Sequence, residues 1–276
     1  MHLLIVQFPA IDPIALQLGP ISIKWYGLAY VAGLLLGWTY IKRLLADGRL
    51  WAGGKAPISP DTADDLFLFV AVGVVIGGRL GNVLLYDIAY YAKHPLEILQ
   101  IWKGGMAFHG GLAGVIVAAW VFGRWRGVRP QTVLDLVAAA VPFGLFFGRI
   151  ANFINAEVVG RESTVPWAMA FPGYGPNPRH PSQLYEAALE GIALFLVLRW
   201  LTHSKYALKR PGLTGSAFLI GYGAFRMVCE LFKYDEYRGL LGSLPLTSGM
   251  AYCIPMVIAG VWMARRALRE TPASAT

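Results

Sequence analysis

The chain has 276 residues, of which 56% are hydrophobic and only 14% charged, and its mean hydropathy of +0.52 sets it apart from ordinary water-soluble domains of this length. A formal charge of +8 does not mark a nucleic-acid surface, because the basic residues fall in separate loops rather than along one face. The two cysteines, Cys229 and Cys253, have no ligand-type spacing around them and argue against a disulfide framework or a zinc site.

In chain order, the opening "MHLLIVQF" is too short an apolar run for a signal peptide, lacks a basic leader and soon meets Pro9 and Pro13. It reads as a short amphipathic lead-in to the first apolar window. A spanning helix needs about 20 predominantly apolar residues. Windows of that kind fall at 23–45, 65–86, 106–123, 132–147, 184–201, 213–232 and 247–264, the third and fourth being short. The expected fold is all-α, a polytopic membrane protein with about seven transmembrane helices, forming one integral membrane domain over 1–276.

Lys42, Arg43, Arg49 and Lys55 follow the first window, Arg124, Arg126 and Arg129 the third, Lys205, Lys209 and Arg210 the fifth, and Arg265, Arg266 and Arg269 the seventh. Every second connection is basic, which by the positive-inside rule puts the N-terminus outside and the C-terminus in the cytoplasm. The longest polar connection, near 150–183, contains "FPGYGPNPRHPSQ" and is expected to be an ordered, turn-rich extracytoplasmic excursion. A short cytoplasmic tail near 267–276 ends in "ETPASAT", which reads as flexible.

Glycine clusters at "GGRLGN", "GGMAFHGGLAG" and "GYGAF" suit close helix packing. "HGGLAG" is no nucleotide fingerprint, since its spacing is wrong and no βαβ context surrounds it. Charged groups inside a bilayer cost at least about 2.5–3.5 kcal/mol on insertion scales and are functional candidates by default. Arg79, His109, Arg149 and the pair Arg226 and Glu230 meet that description. On the orientation above, these residues and Tyr26 all lie toward the outer side.

Three arginines in one layer repel one another unless an anion or carboxylate joins them. Glu230, four residues after Arg226, shares its helix face, and Glu157 is a second candidate. Internal ion pairs alone would satisfy the pattern, and so would an anionic ligand, a lipid phosphate being the natural one because guanidinium forks match its oxygens. Asn152, three residues from Arg149, adds an amide on the same face if the helix continues. His109 is suited either to accept a proton or to hold a phosphate. Tyr26 and Tyr222 suit either a headgroup site or interfacial anchoring, while Cys229, three residues after Arg226, reads as a packing residue.

Taken together and in order, "WYGLAY", "GGRLGNVLLYD", "HGGLAG", "GRIANFINAE", "HPSQLYEAALEG" and "GYGAFRMVCE" resemble bacterial prolipoprotein diacylglyceryl transferases over nearly the whole chain. The family pattern usually has glycine where this chain has Ala151 and Ala156; small replaces small, with less backbone freedom. The resemblance implies transfer of the diacylglyceryl group of phosphatidylglycerol to the lipobox cysteine of a prolipoprotein signal peptide, giving a thioether and glycerol phosphate. The nucleophilic thiol then belongs to the substrate. The resemblance implies His109, Arg149 and Arg226 as catalytic residues and Tyr26, Arg79, Asn152, Glu157, Tyr222 and Glu230 as substrate-binding ones. It implies no metal or cofactor and no nucleic acid, membrane lipids as surroundings, and a bacterial inner-membrane location with the active site toward the outer leaflet. A transporter for a phosphorylated lipid or small anion would draw on the same intramembrane arginines, and the product distinguishes the two.

Overall fold

The structure, a computed structural model, describes residues 6–9, 11–234 and 246–270. Its helices are α1 Trp25–Ala46, α2 Thr62–Leu85, the short α3 Ile88–Lys93, α4 Phe108–Trp125, α5 Pro130–Ile154, α6 Ser182–Glu186, α7 Leu194–Ser204, α8 Leu213–Glu230 and α9 Ser248–Arg269. A π-helical turn, Ala187–Ala193, joins α6 to α7 without a break. Helix therefore covers each apolar window. Three of the helices, α1, α2 and α5, are long and apolar enough to cross a membrane by length and composition.

The fourth window is longer than the sequence suggested. Pro130 opens α5 at a position where its missing N–H is not needed, and the helix runs 25 residues through "GRIANFI". Arg149 and Asn152 thus lie within α5 rather than beyond it, and the polar excursion begins only after Ile154. Apolar Ile150, Phe153 and Ile154 continue the helix past the polar groups that had closed the window.

The all-α expectation needs one amendment, because two small sheets are present. Strand β1 Val6–Gln7 pairs in parallel with β4 Met169–Ala170, and β2 Ile14–Leu18 pairs antiparallel with β3 Ile21–Lys24 around a turn in which Gly19 has φ +57°. Of the proposed amphipathic lead-in, residues 1–5 lie outside the described residues. The rest is held by a tertiary contact: Phe8 packs 5.3 Å from Phe153 and 5.2 Å from Phe171 between ring centroids. No local pattern announces that pairing. Residues 271–276, most of the "ETPASAT" tail, also lie outside the described residues.

Helix packing follows the glycines. A methyl placed on Gly77 would sit 2.3 Å from the Gly110 carbonyl oxygen, and one on Gly114 1.9 Å from that of Gly73. The backbones of α2 and α4 can approach this closely only with hydrogen at those positions. Asp135, fully buried on α5, accepts hydrogen bonds from the backbone N–H of Gly212 (2.7 Å) and Gly215 (2.6 Å). It therefore caps the otherwise unsatisfied start of α8 and fixes α8 against α5.

The basic connections gather at one end of the bundle. Lys42 after α1 pairs with Asp64 at the start of α2 at 3.0 Å, Arg126 after α4 pairs with Asp65, and Arg129 before α5 lies 3.7 Å from Glu270 after α9. Arg210, ahead of α8, donates to the Leu268 carbonyl on α9 at 2.8 Å. Arg149 and Arg226 lie in the C-terminal parts of α5 and α8, toward the opposite end.

Candidate active site

At that opposite end, α5, the α6–π segment and α8 converge on a set of charges. Glu186 closes α6 and Glu190 sits in the π turn, both with no exposed surface. π turns recur at functional sites because they re-aim side chains within a helix. Gly191 beside Glu190 lets α5 close in: a methyl there would lie 2.7 Å from Phe146 Cβ.

Arg149 and Arg226 reach these carboxylates from opposite helices. Arg149 places Nε 2.7 Å from Glu186 Oε2 and Nη2 3.6 Å from Glu190 Oε2. Arg226 places Nη1 3.0 Å from Glu186 Oε1 and 3.5 Å from Glu190 Oε1, and Nη2 2.6 Å from Glu230 Oε1. Lys233, just past α8, adds Nζ at 3.0 Å from Glu186 Oε1 and 3.8 Å from Glu230 Oε1. The Thr247 hydroxyl donates to Glu230 Oε2 at 2.9 Å and accepts from Met250 N at 3.1 Å, so the residue that caps α9 also seats Glu230.

Among the described residues the cluster holds three cations and three carboxylates. The anion needed to join Arg149 and Arg226 is supplied by the protein itself, so their mutual repulsion requires no bound ligand. The exposure is uneven: the arginine side chains keep 20% and 16% of their surface, while Glu186 and Glu190 keep none. An incoming anion meets guanidinium first.

Four of the other residues singled out from the sequence fall into three positions. Tyr222 lies on α8 one turn before Arg226, stacked on Phe218 and within electrostatic range of Glu190, Arg226 and Arg149. The Tyr26 hydroxyl lies 3.3 Å from that of Tyr30, which is itself within electrostatic range of Arg149. One turn beyond Arg149, Asn152 Nδ2 lies 3.4 Å from Glu157 Oε2, and Glu157 N donates to the Asn152 carbonyl at 2.9 Å. Gln183, fully buried at the start of α6, donates to the Glu157 carbonyl at 2.6 Å. This turn contains two non-glycine residues at positive φ, Ala156 at +54° and Val158 at +56°.

Arg79 is engaged by backbone acceptors. Its guanidinium donates to the carbonyls of Ile98 (2.8 Å), Gly104 (2.6 Å), Gly105 (3.1 Å) and Glu97, with its head over the Tyr91 ring. It clamps the excursion between α2 and α4. His109 stands on the first turn of α4 with its ring tilted toward Tyr252 of α9, centroids 6.1 Å apart. The same helix closes on Glu230, since a methyl at Gly249 would lie 2.4 Å from Glu230 Cδ. Cys229 and Cys253 are buried and unbridged, consistent with packing.

Glu186, Glu190, Lys233 and Thr247 were not singled out from the sequence. Nor was the chain of side chains behind them: Trp167 Nε1 donates to the Tyr185 hydroxyl at 2.6 Å, and His180 Nδ1 lies 3.1 Å from that oxygen. Burial, and then the charge of Arg161, push the His180 pKa below its usual value. The excursion is tied straight to the cluster, because Arg161 N donates to the Phe232 carbonyl at 2.9 Å and Gly160 bridges to Lys233.

The sequence profile of prolipoprotein diacylglyceryl transferases matches residues 13–266, which take in the whole charge cluster and every candidate residue above. The chain belongs to the prolipoprotein diacylglyceryl transferase family. It is 51% identical over 259 residues to the phosphatidylglycerol–prolipoprotein diacylglyceryl transferase of Mesorhizobium japonicum, covering 93% of this chain and 91% of the relative. It is 49% identical to the protein of that name from Rhizobium meliloti, covering 96% and 95%, and 51% identical to the one from Rhizobium leguminosarum, covering 97% and 96%.

Proposed function

We propose that this chain transfers the diacylglyceryl group of phosphatidylglycerol to the cysteine thiol of a prolipoprotein lipobox, the first step of lipoprotein maturation. The observation that carries the site assignment is the meeting of Arg149 and Arg226, from α5 and α8, on one pair of carboxylates. Two guanidinium groups from separate helices form a cradle whose outer faces suit the oxygens of a single phosphate diester.

The reaction breaks the S–H bond and forms a bond from sulfur to the glycerol carbon that carries the phosphate. The C–O bond to that carbon breaks, and its electron pair goes to the phosphate oxygen that leaves with glycerol phosphate. A thiol of ordinary pKa, about 8.5, must first lose its proton. His109 is the proposed acceptor, held at the edge of α9 by Tyr252. Arg149 and Arg226 stabilise the charge that grows on the leaving phosphate, a preorganised electrostatic effect worth several kcal/mol where water is excluded. Asn152 and Glu157 shape the turn beside Arg149, and Tyr26, Tyr222 and Glu230 line or orient the cradle. Arg79 contributes at one remove, by fixing the excursion next to His109's helix.

The membrane arrangement belongs to the same reading. Seven helices cross the bacterial inner membrane, the basic end faces the cytoplasm by the positive-inside rule, and the cradle faces the outer leaflet, where exported precursors present their lipobox. The ion pairs gathered at the basic end support this orientation.

The test is the product. Purified protein in vesicles containing phosphatidylglycerol is incubated with a lipobox peptide, and the peptide is analysed for a thioether-linked diacylglyceryl group. Arg149→Ala and Arg226→Ala are each expected to abolish transfer while the protein remains inserted. Near-wild-type turnover by either variant removes that arginine from the mechanism, and lipid movement without thioether formation favours a transporter.

A further inference from the structure

Glu186 and Glu190 hold the same two arginines with unequal grip. Glu186 has three close cations, Arg149 at 2.7 Å, Arg226 at 3.0 Å and Lys233 at 3.0 Å. Glu190 has only the looser contacts, 3.6 Å to Arg149 and 3.5 Å to Arg226. The Oε2 atoms of both glutamates are buried without a well-formed hydrogen bond among the described residues, but that of Glu186 has Arg149 Nε at 2.7 Å whereas that of Glu190 has Arg149 Nη2 only at 3.6 Å. A buried carboxylate oxygen left in that state calls for a functional explanation.

Charge supplies one. The cluster is neutral as it stands, with three cations against three carboxylates. A phosphate diester brings one further negative charge and competes for Arg149 and Arg226, and the carboxylate it displaces most readily is the one held most weakly. Glu190, with no exposed surface, then has neither guanidinium nor water to support its charge. Buried groups in that position neutralise rather than stay ionised.

Resting on the headgroup site proposed above, we infer that Glu190 takes up a proton when a phosphate diester occupies Arg149 and Arg226, and donates it to the phosphate as the glycerol C–O bond breaks. Displacement at carbon puts the incoming sulfur and the departing oxygen on opposite sides. Glu190 shares the arginines' side and therefore serves the leaving group, while the thiol proton goes to an acceptor across the carbon. The balance closes. The C–O electron pair moves to the phosphate oxygen, that phosphate gains the Glu190 proton and leaves as a monoester monoanion, and Glu190 returns to its carboxylate. Re-formation of its pairs with Arg149 and Arg226 then assists product release.

The groups facing Glu190 are Arg149 on α5, Glu186 on α6, Tyr222, Arg226 and Cys229 on α8, Lys233 beyond it and Cys253 on α9. Of these, Glu186 is the other carboxylate. Its three short pairs, to Arg149, Arg226 and Lys233, hold it in place more firmly than Glu190 is held.

The experiment uses full-length protein in dodecyl maltoside micelles, which carry no phosphate, and glycerophosphoglycerol, a soluble diester that stays ionised across the range tested. Binding heats in buffers of different ionisation enthalpy give the protons taken up. The wild type should take up about one proton per diester bound, and affinity should fall about tenfold per unit rise in pH. Glu190→Gln should bind without proton uptake or pH slope, at least as tightly as the wild type at high pH, yet transfer on the order of 100-fold more slowly at saturating lipid. His109→Gln should retain the uptake. Binding by the wild type without proton uptake overturns this inference alone, as does uptake that persists in Glu190→Gln; no binding at all overturns the headgroup site with it. If Glu190→Gln does not fold, the wild-type measurement decides, supported by an infrared carbonyl band of a protonated carboxyl that appears when the diester binds; its absence counts against the inference.

Discussion

Glu186 and Glu190 share one nitrogen, Arg226 Nη1, which lies 3.0 Å from the first and 3.5 Å from the second. The sharing makes Glu186 the keystone, since it alone of the three carboxylates touches Arg149, Arg226 and Lys233. Glu186→Ala leaves buried cations short of a partner, a loss typically worth about 3–5 kcal/mol. The midpoint of thermal inactivation in detergent should fall sharply. Lys233→Met in the same background should recover part of the loss by removing the cation left behind, a coupling that a double-mutant cycle measures. Equal losses with and without Lys233 would mean that the two do not act as one network.

Arg79 offers the contrast. It is more buried than the site arginines, and its donors go to backbone carbonyls 18 to 26 residues ahead. Arg79→Ala should free the segment between α3 and α4, which limited proteolysis reads as new cleavage between residues 95 and 105. Transfer should fall less than in Arg149→Ala. Loss of transfer without altered proteolysis would assign Arg79 to the lipid instead.

How much of this was legible follows from the physics of each residue. Arg226 and Glu230 stand four apart on one helix, and Arg149 and Asn152 three apart, so helical periodicity alone brought those pairs together. Glu186 and Glu190 carry the same four-residue signal inside the fifth apolar window, and the cost of a charge in a bilayer applies to them as it does to the arginines. Lys233 lies one residue past the sixth window and reads as a loop cation; only the bridge of Gly160 to Lys233 turns it inward. Arg79's acceptors are backbone atoms set by the fold of a later segment, and Phe8 is held by rings more than 140 residues away. Such contacts leave no trace in local pattern.

Ala151 and Ala156 should respond oppositely to replacement by glycine. Ala151 is fully buried inside α5, where glycine costs about 1 kcal/mol in backbone entropy. Ala156 has φ +54°, a left-handed conformation that costs an L-residue roughly 1–2 kcal/mol and glycine nothing. Ala156→Gly is therefore expected to raise the midpoint of thermal inactivation and Ala151→Gly to lower it. The same sign at both positions would show that close packing, not backbone freedom, governs this turn.

His180 sets a pH limit on the excursion. Its pKa is lowered in the folded protein, first by burial and then by Arg161, while in an unfolded segment it keeps the ordinary value near 6.5. At higher pH the ring is neutral in both states and no stability difference arises. As pH falls through about 6.5 the unfolded segment binds a proton before the folded one does, so stability is lost on acidification and the loss ends once pH drops below the lowered folded value. Hydrogen exchange of residues 158–185 should speed up between neutral pH and about pH 5.5, after correction for intrinsic rates, and His180→Gln should remove that dependence. Because Arg161 and Gly160 are tied to Phe232 and Lys233, the same acidification should loosen Lys233 from Glu186. Transfer should then decline over the same interval in the wild type and more gently in His180→Gln; an identical decline in both would separate the excursion from the charge cluster.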